Sequence, residues 1–455
     1  MNLRLAAIAQ LVGGRLHGAD ATVGGVSTDT RTLAAGALFV ALRGERHDAH
    51  AFADEAAARG AGALLVERQL PSSLPQVVVA DTLVALGELA RAARERSRAR
   101  VVGITGSNGK TTVKTLVASI LSRHGRTHVN AGNYNNEVGL PLTVLAMPED
   151  TEYAVLEMGA GKPGDIAYLA RIARPDVALV NNVAPAHLER MGSLQGVAET
   201  KGAIYRALPA DGTAVINADD AFADYFAVLA GTRRVLRFGA LRRADVSASF
   251  EGETGDRFRL LAPGGATPVE LPLRGRHNVS NALAAATIAI ALGVPLATIR
   301  AGLEAAPAVD GRLARHVLPS GAVLVDDSYN ANPGSFAAAI AWLAAEPGEH
   351  VLVMGDMGEL GTDAERLHAE VGALARRSGI RRLRAVGRLS RAAVEAFGAG
   401  AEHYPDQAQL VEALRAEAGA GVVMLVKGSR SSAMDRVVKA LRGDAGGDEG
   451  GRHAA

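Results

Sequence analysis

The chain has 455 residues, 48% of them hydrophobic and only 4% aromatic, so it can bury several cores, built of Ala, Val and Leu rather than packed rings. Two to four domains are expected at this length. The net charge of +1 argues against a dedicated nucleic-acid binder or a polybasic membrane protein, and the absence of cysteine excludes disulfides, zinc-thiolate sites and thiol nucleophiles.

The start, "MNLRLAAIAQLVGGRL", lacks a cationic segment followed by an unbroken apolar run, and reads as a short helix rather than a signal peptide. "ALFVAL", "AGALLVE" and "QVVVAD" are strand candidates of a small α/β unit, with a helical "HAFADEAAARG" between the first two. A helix over "TLVALGELARAARERSRAR" leads out of it.

From Arg100 the pattern becomes strand, loop and helix in repetition. "RVVGIT" runs into "GSNGKTT", and a helix follows that closes at Gly125. A Walker A loop needs glycine six residues before its lysine, and counting back from Lys110 gives Ile104. The loop nevertheless suits an anion. A strand feeding a glycine turn at a helix N-terminus presents backbone N–H groups to phosphate oxygens. Gly106 and Gly109 allow close approach, with Ser107 and Asn108 between them. Lys110 can place its charge on the β- and γ-phosphates, and Thr111 or Thr112 a hydroxyl on Mg²⁺.

"EYAVLEMG", "DVALVNNV" and "GTAVINADD" are further short strands ending in polar residues, which is where parallel sheets place ligands. Glu157 ends the first and His187 follows the second. Lys201 falls near the start of the next helix. Singly, such residues are more often local hydrogen-bond partners. Together the first two could offer oxygen and imidazole to hard cations beside a triphosphate, where a lysine is out of place. Residues 235–273 read as β-rich and less regular. The apolar run Ala282–Ala297 falls short of the roughly 20 residues of a membrane span and reads as a buried helix, with Asn278, Ser280 and Asn281 as N-cap chemistry.

A third unit begins after "VDGRLARH". "GAVLVDDSYN", "EHVLVMGDMGEL", "RRLRAVG" and "GVVMLVKGSR" are four strands of a smaller doubly wound domain. Asp326 and Asp327 end the first, before a Pro-terminated turn that carries Tyr329 and Asn330. The tail from 444 to 455 is Gly-rich and polar and is expected to be disordered. Its deletion is therefore expected to leave kcat unchanged, and a large loss on truncation would show that it packs. Of the 49 basic residues only six are lysine: Lys110, Lys114, Lys162, Lys201, Lys427 and Lys439. Arginine serves for generic positive charge, so each lysine invites a chemical reason.

"TGSNGKTT", "EMGA", "APAHL", "TKG", "GRHN", "DGRL", "DDSYNANP", "MGDMGELG" and "VKGSR" follow in this order, and the chain thereby resembles the Mur ligase family from about Val26 to Val438. "TDTR", "ALRGERHDAHAFADEAAARGA" and "GNYNNEVGLPLT" resemble one branch of it. The family's phosphate loop has the short TGxxGKTT form, so Ile104 is no defect.

The resemblance implies an α/β chain of three domains: a small N-terminal α/β domain for the UDP end of the substrate (1–98), a central P-loop ATPase-type sheet (99–311), and a C-terminal Rossmann-like domain (312–443). It implies a cytoplasmic, monomeric, ATP- and Mg²⁺-dependent ligase of peptidoglycan precursor synthesis. Its substrates would be UDP-N-acetylmuramoyl-tripeptide and D-alanyl-D-alanine, with no nucleic-acid partner and no membrane span. By residue matching, Gly106 to Thr112 would hold the ATP phosphates, with Thr111 on one Mg²⁺ and Glu157 and His187 on a second. Asn278 and Asn281 would lie at the adenine, Arg312 near the phosphates and Asp327 on the ribose. Thr28, Asp29 and Arg31, with Asn133, Asn135 and Asn136, resemble nucleotide-sugar contacts. The lysine matching Lys201 is carbamylated in relatives, which turns a cation into a carboxylate-like metal ligand.

Two departures stand out. Ala203 occupies a position that is usually Glu, and Gly161–Lys162 stand where Asn and another residue are common. Two alternatives remain at this stage. A relative adding diaminopimelate would carry a DNPR-like motif, and a nucleotide-dependent switch an NKxD-type base-reading motif. Neither motif occurs in the chain.

Overall fold

The computed structural model describes residues 3–44, 47–185, 188–250 and 256–443. His187 and the tail from 444 lie outside the described residues.

Besides a two-stranded antiparallel sheet of Leu3–Arg4 with Thr22–Val23, three larger sheets follow one another along the chain. In the first, Val26–Ser27, Leu38–Val40, Ala63–Val66 and Gln76–Val78 run parallel, and Arg15–His17 pairs antiparallel at the edge. The short N-terminal helix forms over Leu5–Val12 and ends at Gly13 in the left-handed region. The Thr82–Arg96 helix, capped by the Asp81 carboxylate on the Val84 N–H, leads out of this unit. Its buried Leu86, Leu89 and Ala90 join a core shared with the next sheet.

The second sheet has nine strands. Its parallel part runs, in spatial order, Thr127–Val129, Tyr153–Glu157, Arg100–Thr105, Val177–Val180, Thr213–Asn217, Arg234–Gly239 and Val246–Phe250. The irregular β-rich segment extends it with two antiparallel strands, Arg257–Ala262 and Gly265–Glu270. The chain leaves Arg100–Thr105 toward one edge and later returns to its other side at Val177–Val180. That reversal opens a crevice at the carboxyl ends of these two strands.

One face of this sheet is covered by the Lys110–Leu121 helix and the Ala-rich Arg276–Ala291 helix, packed on each other. The second is buried nearly all round, so small side chains bring the two helix axes close. The apolar run ends there; a new helix starts at Leu296 behind Pro295. No helix among the described residues is long and apolar enough to cross a membrane.

On the other face Tyr205 is fully buried against Phe226, with ring centroids 5.5 Å apart. Its hydroxyl donates to the Val215 carbonyl at 2.7 Å and accepts the Val180 N–H at 2.9 Å. Burial raises its pKa, so it stays protonated. Tyr205→Phe strands two buried backbone groups and is expected to cost about 1–3 kcal/mol, read from the denaturation midpoint. An unchanged midpoint would show that both groups find other partners.

The third sheet has six strands rather than the four expected. Val323–Asp327, Val422–Lys427, Glu349–Met354 and Arg382–Val386 are the expected ones. Ala314–Val317 pairs antiparallel at one edge and Ala401–Tyr404 parallel at the other. Both added strands are short and polar (ARHV, AEHY), without the apolar alternation that marks a strand in sequence.

Candidate active site

The Arg100–Thr105 strand delivers the glycine loop into the crevice, and the Lys110–Leu121 helix begins directly behind it. Gly106 has φ +150°, and a Cβ there would meet the Asn181 Cβ at 3.0 Å. Gly109, with φ +78°, is the N-cap, and its Cβ would meet the Asn281 Oδ1 at 2.5 Å. Both positions therefore require glycine. Asn181 and Asn182, just past the Val177–Val180 strand, hold the loop from the other side of the crevice. Asn182 accepts the Asn108 N–H at 2.8 Å through its side chain and the Ser107 N–H at 2.9 Å through its carbonyl. The Asn181 amide donates to the Asn108 carbonyl and to Asn281 Oδ1, each at 3.0 Å.

Lys110 Nζ donates to the Gly106 carbonyl at 2.8 Å. Burial lowers its pKa, the Glu157 charge opposes the shift, and the Arg312 charge adds to it. Thr111 Oγ1 donates to Glu157 Oε2 at 2.9 Å and accepts from Arg312 Nη2 at 3.3 Å. Glu157 is buried, and its Oε1 accepts from Asn135 Nδ2 at 2.7 Å. Arg312 lies 4.4 Å over the Tyr329 ring, and its buried Nε has no hydrogen-bond partner. Arg312 lines the cleft, and a buried guanidinium nitrogen without a partner is a mark of a ligand site.

Lys201 is 1% exposed, and the described residues offer it neither a hydrogen bond nor an ion pair. It lies in the middle of the Leu194–Arg206 helix, which Ser193 caps, rather than near the helix start as expected. Burial, and then the nearby Lys110 charge, hold its amine well below the ordinary lysine value.

The third sheet closes the crevice. The Asn332 amide donates to Asn108 Oδ1 at 2.7 Å, and Asn332 also caps the Pro333–Ala345 helix. Asp327 accepts from Lys427 Nζ at 2.6 Å, beside a partly buried His277 whose pKa burial lowers. A cleft of about 570 Å³ results, with Lys110, Glu157, Asn278, Asn281, Arg312 and Asp327 in its walls. Asn278 and Asn281 lie inside their helix, whose N-cap is Gly275, so the capping expectation fails. Asn278 reaches back to the Arg274 carbonyl at 2.9 Å, and Asn281 donates to Asn278 Oδ1 at 3.1 Å.

The residues matched to nucleotide-sugar contacts fall in two segments, 28–31 and 133–136. Asp29 and Arg31 pair with each other at the exposed edge of the first sheet, and Thr28 lies beside them. Asn133 is exposed, Asn136 caps the Gly139–Leu145 helix through the Gly139 N–H, and Asn135 points to Glu157. Asn181, Asn182, Lys114, Lys427 and Asn332 escaped the sequence reading. Lys114 and Lys427 carried a usable signal, as two of only six lysines.

Residues 104–289 match the Mur ligase middle domain, 311–430 the Mur ligase glutamate ligase domain, and 22–116 the Mur ligase family catalytic domain. The chain is 48% identical to the UDP-N-acetylmuramoyl-tripeptide–D-alanyl-D-alanine ligase of Escherichia coli (strain K12), over 97% of this chain and 99% of that one. The chain belongs to the Mur ligase family. A second Mur ligase of that description, from Haemophilus influenzae, is 39% identical over 96% of this chain and 97% of its own. Among solved structures, MurF from Acinetobacter baumannii superimposes with a TM-score of 0.92 at 34% identity, covering 97% of this chain and 99% of its own. MurF ligase from Thermotoga maritima in complex with ADP gives 0.82 at 29% identity, covering 92% and 97%. The three-domain α/β architecture and an ATP-dependent ligase activity are thus those of a Mur ligase.

Proposed function

We infer that this chain joins D-alanyl-D-alanine to UDP-N-acetylmuramoyl-tripeptide at the expense of ATP, in peptidoglycan precursor synthesis. The observation that carries this reading is the crevice, where Lys110, Thr111, Glu157 and Arg312 converge beside a buried Lys201. Relatives that match nearly end to end carry that activity in their names. The work is that of a cytoplasmic enzyme.

The residues present fit a magnesium triphosphate. Backbone N–H groups at a helix N-terminus, Lys110 and the free Arg312 Nε suit phosphate oxygens. The Thr111 hydroxyl and the Glu157 carboxylate, 2.9 Å apart, are the oxygen donors that Mg²⁺ prefers. Thr111 would hold one ion, and Glu157 with His187 a second. A carbamate on Lys201 would add an anionic oxygen; burial shifts the amine toward the neutral form, which is the form that takes up CO₂. Bound Mg²⁺ supplies charge neutralisation between the anionic reactants.

The tripeptide's terminal carboxylate attacks the γ-phosphate, forming the acyl phosphate and releasing ADP. The dipeptide amine then attacks the acyl carbon, and phosphate leaves from the tetrahedral intermediate. The barrier of the first step is the approach of two anions. Lys110, on the Gly106 carbonyl, and Arg312, over the Tyr329 ring, would lower it by supplying positive charge from the cleft walls. Asn278 and Asn281 face the adenine end and Asp327 the ribose. The contact from Asn332 to Asn108 ties the third domain to the phosphate loop, and closure there would keep water from the acyl phosphate. Thr28, Asp29 and Arg31 with Asn133, Asn135 and Asn136 serve the UDP-substrate. ADP release with UDP-tripeptide, comparing D-alanyl-D-alanine with single amino acids as acceptor, tests the reading. Turnover with a single amino acid and none with the dipeptide would sink it.

A further inference from the structure

Lys114 stands one turn after Lys110 on the same helix and is 6% exposed. It does not line the cleft itself; its ammonium group reaches behind Glu157, which does, to the 130–136 loop. Its Nζ donates to the Asn130 carbonyl at 3.0 Å and to the Gly132 carbonyl at 3.1 Å, and it lies 3.6 Å from Glu157 Oε2. An ammonium group has three donors, and this site offers three acceptors around it.

Asn130 in turn clamps the Glu157 backbone, accepting its N–H and donating to its carbonyl, both at 3.0 Å. A second bond from the Asn130 amide, to the Tyr134 carbonyl at 2.9 Å, fixes the turn of the loop. That turn places Asn135, which donates to Glu157 Oε1 at 2.7 Å and accepts the Gly159 N–H through its carbonyl at 2.8 Å. On its outer side the loop carries Tyr134 into the neighbourhood of Arg31.

We propose that Lys114 is a positioning residue for the ligase reaction, tying the phosphate-loop helix to the 130–136 loop and setting the Glu157 carboxylate against Thr111. The proposal rests on the reading of the function given above. Glu157 has two oxygens with different tasks: Asn135 takes Oε1, and the Lys114 charge leaves Oε2 turned to Thr111 Oγ1. Without the ammonium group, two buried carbonyls lose their donor and a buried carboxylate loses its nearest cation. The loop then moves at both ends, at Glu157 inside and at Tyr134 beside Arg31 outside. Arginine fits poorly, because its planar fork is longer and cannot direct three bonds from one atom. That accounts for a lysine here in a chain that otherwise favours arginine.

The test uses the full-length wild type, Lys114→Met and Lys114→Arg, with ADP release measured against ATP and against UDP-N-acetylmuramoyl-tripeptide at saturating D-alanyl-D-alanine. In Lys114→Met, kcat is expected to fall about 30- to 100-fold, as misplacement by an ångström does elsewhere. KM for the UDP-substrate should rise about tenfold and KM for ATP stay within about threefold. Lys114→Arg should fall between Lys114→Met and wild type. A kcat within about threefold of wild type in Lys114→Met overturns the proposal. So does a fall in kcat with both KM values unchanged and Tm lowered, the signature of a smaller folded fraction. Should Lys114→Met fail to fold, Lys114→Arg decides: a raised UDP-substrate KM with an unchanged ATP KM is expected, and wild-type values of kcat and both KM overturn. A wild-type chain that releases no ADP with the dipeptide would instead count against the function itself.

Discussion

Lys110→Ala is expected to reduce turnover by about 10³-fold or more while leaving affinity for the UDP-substrate within about threefold of wild type. The ammonium group is fixed on the Gly106 carbonyl at the mouth of the loop, so its charge meets the phosphates without reorganisation. Burial penalises its charge and lowers its pKa, and the negative charge of a triphosphate would offset that penalty. The interaction therefore strengthens as the γ-phosphate gains negative charge at its equatorial oxygens. The residues proposed for the UDP-substrate lie on another domain and on the 130–136 loop, and none of them bonds Lys110. Steady-state ADP release and calorimetric titration of UDP-N-acetylmuramoyl-tripeptide measure the two effects separately. An equal loss of both would show that the nucleotide and the UDP-substrate share one domain.

Lys201→Ala is expected to lose most activity, about 10²- to 10³-fold, and Lys201→Arg to do no better. Lys201 is buried, has no ion pair among the described residues, and has a second cation, Lys110, near it. As a plain ammonium it would sit where charge is penalised twice. As a carbamate it becomes an anion facing Lys110 and the proposed metal position. The sign of the pKa shift agrees: a lowered value means that the amine is neutral at a lower pH than an ordinary lysine, and the neutral amine is what reacts with CO₂. Arginine keeps its charge and cannot form the carbamate. A small carboxylic acid added to Lys201→Ala should occupy the vacated space and restore part of the rate. An active Lys201→Arg enzyme with unchanged Mg²⁺ dependence, and no rescue by added acid, would end the carbamate hypothesis.

The strands of all three sheets that are apolar were legible because burial on both faces writes a continuous Val/Ile/Leu run, as in "RVVGIT" and "VVMLVK". Edge strands such as Ala314–Val317 and Ala401–Tyr404 were not, because one side faces solvent and their residues are polar. At the site, the glycine loop announced itself locally. Asn278 and Asn281 read as helix caps because a cap and a buried asparagine in the first two turns have the same sequence signature.

By itself the sequence determined the order of domains, the phosphate loop and the family. Those follow from contiguous runs: hydrophobic period, a glycine turn before a helix, and ordered motifs. Only the tertiary structure decided which distant residues meet. Thr111 touches Glu157, 46 residues on, and Arg312, 201 residues on; Asn108 touches Asn332 across 224 residues. It also decided that Lys114 bonds carbonyls of the 130–136 loop and that Lys201 is buried. Such contacts depend on how sheets stack and where a strand order reverses. A side chain's worth in the site depends on burial and neighbouring charge, and neither is written in the residues beside it.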